Sequence, residues 1–187
     1  MKHTFEQNIL DSHSDQKRNS GEAYSFHLKR VQLKTIETIE LMKLEGRFQG
    51  THVPHFKESL KYIAIAHDYL EDHDYTGGGI YLLKSLLRED LPRLHQKDQI
   101  DFIHSSIVIL TKSEKETYFD YISRLLRKER HASMFVKLAD LYDNTRDIKE
   151  GARKDKYRFA AHLIGKFLLK EYKGSRVLQG LIESITK

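Results

Sequence analysis

His67-Asp68-Tyr69-Leu70-Glu71-Asp72 places four ionisable side chains besides one tyrosine in six positions. Imidazole and carboxylate are both competent ligands for a divalent cation, and carboxylates beside such an ion can take or relay a proton. The preceding residues, Tyr62-Ile63-Ala64-Ile65-Ala66, are apolar, and Leu70 continues their spacing. The six residues are therefore expected in the C-terminal half of a buried helix. On such a helix His67 stands four residues from Glu71, and Asp68 four from Asp72, on adjacent faces. The two aspartates repel one another, and Glu71 adds charge where the helix dipole already disfavours anions. Standing alone, such a cluster reads as a solvated acidic helix end; the alternative is a cation held partly by the His-Asp pair.

A second polar set lies in Val136 to Asp147, where Lys137, Asp140, Asn144 and Asp147 recur at helical spacing away from Leu138, Leu141 and Tyr142. It is the wet side of an amphipathic helix unless that helix packs on several sides, as Ala139 and the apolar flanks indicate. A buried Asp140 then needs a cation. His27, His67 and Asp68 are the ligand-type residues on helix positions that could converge with it. The other histidines, His3, His13, His52, His55, His73, His95, His104, His131 and His162, lack this context and are read as surface or core residues.

The elements that must position these groups are all helical. A short helix is expected within Thr4 to Ser14, then a polar loop from Asp15 to Glu22 and a long helix from about Tyr24 to Leu44, ended by Gly46. The His-Asp helix is expected to stop at Tyr75-Thr76-Gly77-Gly78-Gly79, read as a flexible connection because it lacks the Lys-Ser/Thr ending and preceding strand of a phosphate loop. Further helices are expected over Ile80 to Leu87, broken near Pro92, and over Lys97 to Leu110. Ser113-Glu114-Lys115-Glu116 fits a capping box opening a helix through Tyr118 and Leu126. Met134 to Ile148, Arg153 to Tyr172 and Gly174 to Ile185 complete the set. With no period-two run, repeat or linker, the chain reads as one all-α domain over residues 1–187.

Composition excludes several classes. The 187 residues carry no cysteine, so thiolate chemistry, disulfides and cysteine metal sites are absent. No apolar run approaches membrane-spanning length and no signal segment opens the chain, so a cytoplasmic protein without membrane partner is expected. The net charge of +5 suits a polyanionic partner such as a phosphorylated small molecule. Nucleic-acid binding is not expected, because the basic residues are well mixed and no stacking or finger motif accompanies them. Homo-oligomerisation is left open.

Taken in order, His27, His67-Asp68 and Asp140 resemble the H…HD…D pattern of HD-superfamily metal-dependent phosphohydrolases. More narrowly, His67 to Asp72 resembles the HDxxED box of RelA/SpoT-type hydrolase domains, which degrade the alarmone (p)ppGpp. Val136-Lys137-Leu138-Ala139-Asp140 with Asn144 and Arg146 is similar to that family's VKLADRxxNxR segment, and Arg18 to His27 to its RKSGEPYxxH segment. The resemblance is strongest over residues 16–148. It implies a small HD-type helical bundle with one divalent metal ion, typically Mn²⁺, held by His27, His67, Asp68 and Asp140. It further implies that Glu71 and Asp72 orient or activate the attacking water and that Arg18 and Asn144 contact the nucleotide. The implied activity is conversion of (p)ppGpp to GDP or GTP plus pyrophosphate. The alternative is an HD phosphohydrolase acting on another phosphate ester, such as a nucleotide monophosphate, a dNTP or NADPH. The chain departs from the family pattern at Asn19, Ala23, Leu28 and Asp147, the last adding a carboxylate near a polyphosphate unless it meets a cation.

Overall fold

The computed structural model describes residues 3–47, 55–73, 78–91 and 96–187. Among them lie ten helical segments: α1 (Phe5–Ser12), α2 (Tyr24–Leu44), α3 (Phe56–Ile65), α4 (Tyr69–Asp72), α5 (Gly78–Asp90), α6 (Gln96–Leu110), α7 (Tyr118–Arg127), α8 (His131–Asp147), α9 (Ala152–Glu171) and α10 (Arg176–Thr186). The described residues are all-α. Their one extended pairing is an isolated antiparallel bridge between Lys17 and Ala23 that folds the loop before α2 back on itself. No helix among them is long and apolar enough to cross a membrane.

α8 is the axis of the molecule. It touches α2, α3, α6, α7, α9 and α10, and Met134, Phe135, Val136, Leu138, Ala139 and Leu141 are all buried. A helix packed on so many sides has little wet face, so its polar residues must find partners within the protein. α2 lies along both α3 and α8, buries Leu28, Val31, Ile39 and Met42, and thereby carries His27 inward. Its end is a Schellman motif: Gly46 adopts φ +67°, with Gly46 N–H donating to Lys43 O and Arg47 N–H to Met42 O. On the far side α10 closes over α9, α8 and α2. Gly165 of α9 permits that approach, since a Cβ there would overlap the Ile182 side chain.

Three local expectations are corrected. The His-Asp stretch is not one continuous helix: α3 ends at Ile65, residues 66–68 form a turn, and α4 is a single turn. At the break the His67 ring satisfies a carbonyl that the end of α3 leaves open, with Nδ1 2.8 Å from Ala64 O. Gly78 and Gly79 open α5 instead of belonging to a connection; in the first turn no backward N–H bond is at stake, so glycine costs least there. Residues 74–77 and Pro92 lie outside the described residues. Finally, α7 is capped by Thr117, whose Oγ1 accepts from Asp120 N–H at 3.1 Å. Glu116 accepts the Ser113 N–H at 3.4 Å, as the box predicts, but also binds Arg124 at 2.8 and 2.9 Å and does not open α7.

Candidate metal centre

Three segments meet at one buried point. α2 supplies His27, the turn after α3 supplies His67 and Asp68, and α8 supplies Asp140. One ligand atom from each of His27, His67 and Asp140 lies within 4.8 Å of the others. His27 is 1% exposed, His67 2% and Asp140 3%. Each imidazole has its Nδ1 taken on the side away from that point. His27 Nδ1 lies 2.8 Å from Asp143 Oδ2, and His67 Nδ1 lies 2.8 Å from the Ala64 carbonyl. Ionised carboxylates and carbonyls only accept, so in each neutral ring the proton belongs on Nδ1 and the Nε2 lone pair faces inward; at His27 this places Nδ1–H beside Arg18 Nη1, 2.5 Å away, with both groups donating to Asp143. His27 Nε2 is 3.4 Å from Asp140 Oδ1 and 3.7 Å from Asp68 Oδ2. His67 Nε2 is 3.6 and 3.0 Å from the same two oxygens, yet it has no hydrogen-bond partner.

Supporting groups hold the carboxylates. Asp140 accepts from Lys137 Nζ at 2.7 Å and from Asn144 Nδ2 at 2.6 Å, and Asp68 accepts from the Tyr24 hydroxyl. Burial opposes ionisation of Asp140, but Lys137, His27 and His67 outweigh it and hold the carboxyl well below the usual range. For Asp68 burial is likewise outweighed, by His67 and His27. The imidazoles answer in the opposite sense. Burial disfavours their charge, but Asp140, Asp143 and Asp68 raise His27 to about 11, and Asp68 and Asp140 raise His67 to about 9. The same negative field that retains protons there attracts a metal cation, and the two compete for the Nε2 lone pairs. An orphaned buried nitrogen, two inward lone pairs and adjacent carboxylates fit a divalent first-row ion with mixed nitrogen and oxygen ligands. Such a donor set suits manganese, iron and zinc alike.

The centre forms the floor of a cleft of about 450 Å³ lined by Arg18, Asp68, Glu71, Asp72, Asp140 and Asn144, among others. All eight residues expected at the site thus belong to one neighbourhood, although not in the arrangement expected. Glu71 has left the His67 face: it opens to the cleft and accepts the Lys112 N–H at 2.7 Å. Burial first, and Asp68 second, push its carboxyl above the ordinary 4.5. Asp72 accepts from Gln16 Nε2 at 3.1 Å, with His13 Nδ1 at 3.3 Å. His13 therefore does more than fill the core. Arg18 is engaged inside the protein, its guanidinium reaching Asp143 at 2.8 Å, Asn144 at 3.1 Å and Asp147 at 3.2 Å. Asp147 thus meets a cation in Arg18.

Sequence reasoning passed over Asp143, Tyr24 and the basic outer wall of Lys17, Lys112, Arg153 and Lys156. Asp143 had a signal, since it stands three residues after Asp140 and so faces the same way on α8. Tyr24 likewise precedes His27 by three. The wall had none, because its members come from three distant stretches. Lys156 Nζ sits 4.6 Å from the Tyr118 ring centroid, so charge and aromatic surface adjoin on this wall. Comparison of the chain with models of protein families, with curated proteins and with solved structures found no match.

Proposed function

We propose that this chain is a metal-dependent phosphohydrolase of the HD type, and that its substrate is the guanosine alarmone (p)ppGpp, cleaved at the 3′-pyrophosphate. The observation that carries the reading is the pair of inward Nε2 atoms beside Asp68 and Asp140, at a cleft that is also lined by Lys17, Lys112, Arg153 and Lys156. His27, His67 and Asp140 would hold the ion, with Asp68 at the edge of the same group. A divalent ion there supplies Lewis acidity and a more acidic bound water. Lys112, Arg153 and Lys156 are placed to offset the charge of a phosphorylated ligand. Glu71, with its raised carboxyl and open position, is suited to take the proton of the attacking water. Asp72, held by Gln16, is suited to orient it. Addition of that water across the 3′ phosphoester gives a free 3′-hydroxyl and pyrophosphate.

One observation favours a second substrate class within the same chemistry. Arg18 and Asn144, the residues implied to hold the nucleotide, already bind one another and the carboxylates around them. A smaller phosphate ester that needs neither residue would fit the cleft equally. Incubating the protein with a nucleotide panel, with and without Mn²⁺, and resolving products by anion exchange decides between them. Metal-dependent release of pyrophosphate from ppGpp supports the alarmone reading. Survival of ppGpp while another phosphate ester is consumed overturns it in favour of the second class, and no turnover of any member overturns both.

A further inference from the structure

Asp143 is not among the candidate ligands, and the proposed chemistry gives it no step. It is nevertheless buried, 3% exposed, with donors crowded onto both oxygens. Oδ2 receives His27 Nδ1 at 2.8 Å, Arg18 Nη1 at 2.8 Å and Arg30 Nη2 at 3.1 Å, and Oδ1 receives Arg30 Nε at 2.6 Å. Arg30 is itself fixed by two bonds to Glu22, at 2.8 and 2.7 Å. Stability alone is a weak reason for such an arrangement, since apolar side chains of similar volume commonly serve a fold as well as a buried ion pair does.

What the arrangement does accomplish is orientation. An ionised carboxylate accepts and never donates, so Asp143 favours the His27 proton on Nδ1 over the tautomer in which Nδ1 accepts from Arg18 Nη1, 2.5 Å away, and turns Nε2 toward Asp68 and Asp140. The two arginines prevent Asp143 from swinging away, because any rotation of its carboxylate breaks several charge-assisted bonds together. We infer that Asp143 is a positioning residue, holding His27 with its Nε2 lone pair available to a divalent cation. The inference rests on the metal-centre reading. His67 provides the contrast within the molecule: its orientation comes from the main-chain carbonyl of Ala64, which no substitution removes.

The test uses Zn²⁺ as a diamagnetic probe on the full chain. Proton NMR of the zinc-loaded protein is expected to show two exchange-protected imidazole N–H resonances, from His27 and His67. Asp143→Ala is expected to lose the His27 resonance, to keep that of His67, and to bind zinc about 10–100-fold more weakly by competitive titration. Asp143→Asn preserves shape with a neutral acceptor, and covers the case in which the alanine variant does not fold. In it the His27 resonance is expected to shift upfield or vanish while that of His67 stays. Wild-type affinity and an unmoved His27 resonance in either folded variant overturn the inference. Failure of the wild-type protein to bind zinc or manganese overturns the metal reading itself, a result distinct from any difference between variants.

Discussion

Lys137 Nζ lies 2.7 Å from Asp140 Oδ2, one turn away on α8, and both groups are shielded from solvent. Asp140 thus has a cation of its own before any metal is considered. Replacing Lys137 by Met removes that partner but leaves Asn144 and the two imidazoles beside the carboxylate, at an expected cost of about 1–3 kcal/mol in metal-free stability. A divalent ion would restore a positive neighbour to that carboxylate. The rise in melting temperature on adding Mn²⁺ is therefore expected to be larger in Lys137→Met than in the wild-type protein. Equal rises, measured by calorimetry at saturating metal, would show that Asp140 faces away from the ion.

The candidate ligands and the cleft carboxylates should separate by experiment. His67→Ala, His27→Ala and Asp140→Asn each remove a member of the buried group and are expected to abolish tight manganese binding. Glu71→Gln combined with Asp72→Asn leaves that group intact, so metal should still bind while turnover is lost. Metal analysis of the purified variants checks the division. Retained metal in His67→Ala, or lost metal in the double variant, would reverse the roles.

Glu71 also sets a pH dependence. Its folded carboxyl is raised above 4.5 by burial and by Asp68, so the folded state binds this proton more tightly than the unfolded chain. Any stability associated with it is present below 4.5 and declines as pH rises through the folded value. Activity follows the opposite sign, because a proton acceptor must be ionised. Turnover is expected to climb with pH through that raised value, and Glu71→Asp to move the acid limb of the kcat/KM profile. An acid limb unaffected by any change at position 71 would assign proton transfer to another group.

A fourth expectation concerns only the scaffold. A Cβ at position 165 would overlap Ile182 of α10, so Gly165→Ala is expected to cost about 1–3 kcal/mol in chemical denaturation through overpacking. The metal centre lies on other elements, so zinc affinity of the folded variant should match wild type. A loss of affinity would mean that the packing of α10 on α9 is felt through α8.

Most of the helices were legible because their signals are local. The apolar spacing of α2, its glycine stop and the periodicity of α9 all act within a few residues, and the observed limits of α2 are those expected. Within the polar stripe of α8, Asp140 is buried, as Ala139 and the apolar flanks indicate, whereas Lys137 and Asn144 are part-buried and Asp147 is exposed. Differences arose at helix ends. Spacing alone carries the helix through His67, but α3 ends at Ile65 and the imidazole bonds the freed Ala64 carbonyl. Glu116 keeps the Ser113 N–H of the expected box and shares its carboxylate with Arg124, eight residues on, while Thr117 caps α7.

Residue types and order by themselves determined that this chain is helical and cysteine-free, and that it owns imidazoles and carboxylates in a ligand-like order; these are properties of short stretches and of composition. Tertiary structure alone decided which of them meet. Only the packing of α2 and the turn after α3 against α8 brings His27 and His67 within reach of Asp140. It also gives His27 its Asp143 partner and occupies Arg18 with internal carboxylates. Contacts across more than a hundred residues depend on how faces of separate helices stack, and no local spacing encodes that.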